Sequence, residues 1–111
     1  MIATLKENPN LSDFQEHIKS VCKEFGWENN NHLEIFLLFS EEVGELAKAI
    51  RKHTGLHSKT IDSNIEEEIA DVFNYLLDFA NYFDIDLEQA YRKKIDRIVE
   101  REKNVKHLYN K

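Results

Sequence analysis

An all-α fold follows from three features of the sequence. Apolar residues recur at spacings of three and four through four separate stretches, the signature of amphipathic helices. The 111 residues include 3 Gly and 1 Pro, few of the breakers that a chain of many strands and turns would need. Hydrophobic residues make up 41% and charged residues 32%, the balance of a soluble helical domain rather than a disordered chain or a sheet sandwich. The prediction is a single domain over residues 1–111, a four-helix bundle-like unit with short loops.

Each element has its own warrant. Residues 1–11 read as a loose arm around Pro9. Ser12 with Gln15 makes a capping box, after which Phe14, Ile18, Val21, Cys22 and Phe25 form a helical stripe that Gly26 ends. His17 lies beside the stripe and reads as a partly exposed structural residue. Trp27 follows, either an anchor for the loop, which its position favours, or an aromatic wall for a base. Asn30 or Asn31 caps a second helix from about Leu33 to His53, with a stop near Gly55. Its first half, from Leu33 to Phe39, is apolar all round, so more than one side is expected to be buried. Four short helices cannot supply that cover, which points to homo-oligomerisation as a dimer or tetramer. Its second half carries Lys48, Arg51, Lys52 and His53. Cations there complement the helix dipole, or in the functional reading some of them meet phosphates.

A polar loop, Leu56 to Asp62, carries His57 and Lys59. Ser63 with Glu66 is a second capping box. It opens a third helix whose apolar face holds Ile65, Ile69, Val72, Phe73, Leu76, Leu77, Ala80 and Phe83. Asp84 to Asp86 is a turn, and Asp86 with Gln89 resembles a third box. The fourth helix runs from about Leu87 to Lys103. Ala90, Tyr91, Ile95, Ile98 and Val99 are expected inside, and Lys93, Lys94, Arg97 and Arg101 on the charged sides. Residues 104–111 read as a frayed tail.

Charge and cysteine content exclude several classes. A formal net charge of −6 argues against a nucleic-acid polymer as partner. One cysteine, Cys22, forbids an internal disulfide and reads as a buried core thiol. The N-terminus lacks the apolar core of a signal peptide, and no apolar run reaches membrane-spanning length. A cytoplasmic location with no membrane partner is the expectation.

Two acidic stretches carry the functional signal. Glu41, Glu42 and Glu45 fall mid-helix, where the dipole cannot account for them. Glu66 and Glu67 are explained as acids of a helix start, but Glu68 and Asp71 lie deeper. Acids three or four apart share a helix face, and the like-charged pairs Glu41–Glu45 and Glu67–Asp71 each cost a few tenths of a kcal/mol (~0.3). If the two helices pack, four or five carboxylates converge at the edge of an apolar core. A hard divalent cation relieves that repulsion, and oxygen-only ligation suits Mg²⁺, Mn²⁺ or Ca²⁺.

The run Glu41-Glu42-Val43-Gly44-Glu45-Leu46-Ala47, with Glu68-Ile69-Ala70-Asp71-Val72 and Tyr75-Leu76-Leu77 after a loop, resembles the MazG-like nucleotide pyrophosphohydrolases. These belong to the all-α nucleoside-triphosphate pyrophosphatase superfamily. The resemblance spans roughly Phe14 to Arg101, and the two runs together are specific where either alone would be weak. It implies that Glu42, Glu45, Glu68 and Asp71 bind Mg²⁺, with Mn²⁺ a possible substitute, and that Glu41 assists as a further acid. It implies hydrolysis of a (deoxy)nucleoside triphosphate between the α and β phosphates. Trp27 and Tyr75 match aromatic positions that contact the nucleotide, and Lys94 and Arg101 match basic positions of the last helix. Lys48, Lys52 and Asn74 complete the candidate substrate contacts. Ile98 departs from the family, standing where relatives often carry asparagine. The rival expectations are a non-catalytic helical oligomer with a structural cation, and an activity like that of phosphoribosyl-ATP pyrophosphatase.

Overall fold

The computed structural model describes residues 4–55 and 64–109. Over these residues the chain folds into four helices: α1 (Leu11–Phe25), α2 (His32–Thr54), α3 (Ile65–Tyr82) and α4 (Leu87–Tyr109), with a 3-10 turn over Trp27–Asn29. The described residues include no strand, as the helical periodicity predicts.

Helix ends follow local chemistry, with two corrections. Gly26 and Gly55 take the left-handed conformation, φ 76° and 78°, which glycine adopts without a Cβ clash, and so end α1 and α2. Asn31 caps α2, its Oδ1 accepting from the Glu34 N–H at 2.9 Å. At α4 the Asp86 Oδ1 accepts from the Gln89 N–H at 3.1 Å. The box at α1, however, is Asn10 with Asp13: the Asn10 Oδ1 accepts from the Asp13 N–H at 2.8 Å and the Asp13 Oδ2 from the Asn10 N–H at 2.9 Å. Ser12 is therefore a residue of the first turn, and the arm ends one residue sooner. The second correction is at the other end. Helix α4 continues to Tyr109, six residues past the predicted stop, because neither Gly nor Pro follows Lys103 to break it. The Leu56–Asp62 loop and the Ser63 half of the predicted cap lie outside the described residues. Asn64 stands at the N-cap position of α3 without a side-chain capping bond.

Helices α2 and α3 pack antiparallel. Phe36 and Phe39 of α2 both meet Phe79, with ring centroids 6.3 and 5.6 Å apart, and His32 lies 5.6 Å from Tyr82. Helix α1 joins them through an edge-on contact of Phe14 with Phe73 at 5.6 Å. Cys22, Ile35, Ala49, Leu77 and Ala80 are buried. His17 is half-buried, in keeping with a structural role.

Gln15 is the buried polar node that explains the displaced cap. Its Nε2 donates to the Ile85 carbonyl at 2.8 Å and to the Asn81 Oδ1 at 3.2 Å, and its Oε1 accepts from the Leu87 N–H at 3.0 Å. The Asn81 Nδ2 returns a bond to the Gln15 carbonyl at 2.9 Å. One side chain thus ties α1 to the end of α3 and the start of α4.

The four helices do not close a bundle within one chain. Helix α4 packs on α1, and the radius of gyration is 18.1 Å, against about 13 Å for a compact chain of this length. Tyr91 and Val99, expected inside, are therefore exposed, as is Ala90, while Ile95 and Ile98 are half-buried. The start of α2 is open too: Leu33, Phe36 and Leu37 are 65%, 56% and 70% exposed. No described helix is long and apolar enough to cross a membrane.

Candidate metal centre

Glu68 and Asp71 stand three residues apart on α3 and so share a face. The antiparallel packing of α2 brings Glu42 to that face. One oxygen from each of Glu42, Glu68 and Asp71 lies within 4.8 Å of the others. All three residues are half-buried, and one oxygen of the set, Glu68 Oε2, is buried with no hydrogen-bond partner among the described residues. Loss of water pushes the Glu42 carboxyl above its ordinary range, and the charge of Asp71 and the hydrogen-bonded approach of Glu68 push it further. A buried, unpartnered carboxylate oxygen among like charges is costly. A hard cation with oxygen ligands removes that cost, so the donor set fits one.

The remaining acids are arranged around this group. Glu41 and Glu45 are exposed on α2, and the structure does not bring Glu45 into the three-residue set. Glu67 points to solvent, in keeping with its place at the helix start.

Beside the carboxylates, Trp27, Asn30, Leu38 and Tyr75 line a cleft of about 240 Å³. Trp27 is 51% exposed and stacks on Phe25 at 5.1 Å with 27° between the rings. One ring face thus serves as the loop anchor while half of the side chain stays open. Burial raises the Tyr75 hydroxyl above its ordinary range, followed by the charges of Glu42, Asp71, Asp78 and Glu41. The aromatic cleft and the acidic group are therefore within electrostatic reach of each other.

The predicted cations are more scattered. Lys48 is exposed and Lys52 half-buried on the last turns of α2, and Asn74 is exposed on α3. Lys94 and Arg101 are exposed on α4, whose packing partner is α1. The cavity at Arg101 is lined by Arg97, Glu100, Asn104 and Val105 of the same helix, so the structure does not group these two cations with the carboxylates. Sequence reasoning missed Asn30 and Leu38 of the cleft, and Asp78. A signal for Asp78 existed: it follows Asp71 by seven residues and Tyr75 by three, on one face of α3.

Comparison with known proteins decides the family. Residues 30–106 match the model of the MazG nucleotide pyrophosphohydrolase domain. The chain belongs to the MazG nucleotide pyrophosphohydrolase family. It is similar to the uncharacterized protein YpjD of Bacillus subtilis (strain 168), 30% identical over 97 residues that cover 85% of this chain and 87% of YpjD. The crystal structure of YpjD, put forward as a pyrophosphatase, superposes with a TM-score of 0.73 at 29% identity, over 84% of this chain and 96% of that one. MazG membership supports nucleotide pyrophosphohydrolase activity, and the family is generally divalent-cation dependent, in agreement with the Glu42–Glu68–Asp71 set. The MazG match includes the carboxylates and Tyr75 but begins after Trp27, so α1 and one wall of the cleft are supplied from outside it.

Proposed function

We propose that this MazG domain hydrolyses (deoxy)nucleoside triphosphates at the α–β bond, giving the nucleoside monophosphate and pyrophosphate, with Mg²⁺ as cofactor and Mn²⁺ as substitute. Clearance of unwanted nucleotides is the role that such a reaction serves. The observation that carries this reading is the unpartnered, buried Glu68 Oε2 within the Glu42–Glu68–Asp71 group, next to a cleft walled by two aromatic rings.

Glu42, Glu68 and Asp71 would hold the cation, with Glu45, one helical turn from Glu41 and Glu42, as the fourth ligand. A cation held there supplies charge neutralisation for the triphosphate and activates water. Glu41 stands next to the ligands on exposed helix surface, where its free carboxylate can orient the attacking water and accept its proton. Trp27 and Tyr75 present faces on which a base can stack. Lys48, Lys52 and Asn74 flank the acidic faces of α2 and α3 as phosphate and sugar contacts. Lys94 and Arg101 would contribute from a second copy, since α4 of the same chain packs on α1. The open apolar start of α2 and the exposed Tyr91 and Val99 of α4 support a homodimer or homotetramer.

The test is a panel of nucleoside triphosphates incubated with protein and Mg²⁺, with products separated. Monophosphate and pyrophosphate, lost on addition of a chelator, are expected. Orthophosphate and nucleoside diphosphate would place cleavage at the β–γ bond and refute the reading.

A further inference from the structure

Asp78 takes no part in the carboxylate group, yet it lies on the same face of α3, one turn beyond Tyr75. Its side chain is half-buried, and its Oδ1 accepts from the Cys22 thiol of α1 at 3.9 Å. Burial, then the charge of Asp78, pushes that thiol up to about 11. Cys22 therefore stays protonated and acts as a donor. Burial raises the Asp78 carboxyl, and the thiol contact draws it partly back.

A thiol is a weak donor, whereas a carboxylate offers about four acceptor positions. The thiol occupies one of them, so Asp78, half-buried, keeps acceptor positions open to another donor. Its position relates it to the cleft from two sides. The Tyr75 hydroxyl feels its charge. Cys22, its partner, lies one turn before Phe25, whose ring stacks on Trp27, the other aromatic wall.

We propose that Asp78 selects the nucleobase: its carboxylate accepts a hydrogen bond from the exocyclic amino group of a base stacked between Trp27 and Tyr75. Cytosine and adenine are favoured over uracil and hypoxanthine, which present an oxo acceptor at that position and are repelled by the carboxylate. This selection rests on the reading of the cleft as a nucleotide site.

Trp27 is the 1 Trp of the chain, so its fluorescence reports binding in the full-length protein without any turnover. With Mg²⁺ present, wild type is titrated with dCMP against dUMP and with dAMP against dIMP. Pyrophosphate release from the corresponding triphosphates is measured in parallel. The amino member of each pair is expected to bind about tenfold or more tightly, the worth of one hydrogen bond to a charged group. Asp78→Asn, whose amide both donates and accepts, is expected to remove that preference while keeping the helical circular dichroism.

Pyrophosphate release by a wild type that does not prefer amino bases overturns the base selection and leaves the hydrolysis standing; this outcome needs no variant. An amino preference in binding without pyrophosphate release overturns the hydrolysis and supports the selection. A preference that survives Asp78→Asn overturns the selection, and no saturable quenching by any nucleotide overturns both.

Discussion

At the scale of single residues, the unpartnered Glu68 oxygen sets the expectations for the acidic group. Glu42→Gln, Glu45→Gln, Glu68→Gln and Asp71→Asn each keep size and hydrogen-bonding capacity but remove one negative ligand. Each is expected to lower Mg²⁺-dependent pyrophosphate release by at least ~10²-fold, the usual loss for one electrostatic contact at a reacting centre. Glu67→Gln is the control and is expected to keep most activity, because Glu67 is exposed at the start of α3. Equal damage at Glu67 and Glu68 would mean that the acidic face is misaligned by one residue. The pH dependence follows from Glu42, whose carboxyl is raised in the folded state, burial being the largest cause. A raised carboxyl binds its proton more tightly folded than unfolded. Its stabilising contribution is thus present below the ordinary glutamate value of about 4.3 and is lost as pH rises through the raised value. The metal-free melting temperature is expected to fall from mildly acidic to neutral pH from this source. Added Mg²⁺ or Mn²⁺ is expected to raise it, and by more at neutral pH, because the ligands must first lose their protons. Scanning calorimetry with and without metal at several pH values checks both signs, and a metal effect that shrinks with rising pH would contradict them.

At the scale of elements, Gln15 holds three helices in register through bonds to Ile85, Leu87 and Asn81. Gln15→Ala leaves a part-buried carbonyl and N–H without their side-chain partner, and each such group costs about 1–3 kcal/mol. A loss of about 2–4 kcal/mol is expected, or roughly 10–25 °C in melting temperature for a domain of this size. Ser12→Ala, at the residue first expected to cap α1, is expected to change stability by less than ~0.5 kcal/mol, as for ordinary surface positions. Asn10→Ala, at the observed cap, is expected to cost about 1 kcal/mol. Chemical denaturation of the three variants distinguishes the observed cap from the predicted one. Both Asn10 and Ser12 are legal caps by residue type. What separates them is that Gln15, the third residue after Ser12, is drawn away into the contact with α3, leaving no reciprocal partner for a box at Ser12.

At the scale of the whole molecule, the open faces dominate. Leu33, Phe36 and Leu37 on α2, Tyr82 and Phe83 at the end of α3, and Tyr91 and Val99 on α4 are exposed in the single chain. Leaving so much apolar surface in water forfeits about 25 cal/mol for every Å², so association of copies is expected. Sedimentation at micromolar concentration should return a dimer or tetramer, and Leu37→Glu should shift the distribution toward smaller species. A compact monomer at that concentration would remove the basis for oligomerisation. The extended shape also bears on the cations, since Lys94 and Arg101 lie on the helix that leaves the α2–α3 pair.

The sequence by itself determined the helices, their glycine stops and the chemistry of the acidic faces. Those features depend on contacts within a few residues: φ freedom at Gly26 and Gly55, spacing of three between Glu68 and Asp71, and periodic apolar residues. Tertiary structure decided what depends on contacts between helices. It brought Glu42 to Glu68 and Asp71, left Glu45 outside the set, and turned Gln15 from a cap partner into a buried node. It placed Tyr91 and Val99 in solvent, although their spacing is that of an inward face. Periodicity shows that a helix has an apolar side, but not which neighbour covers it, because packing energy depends on surfaces meeting in space. For the same reason Asp78 was visible as one more acid on α3, and its contact with the Cys22 thiol arises only where α1 packs on that helix.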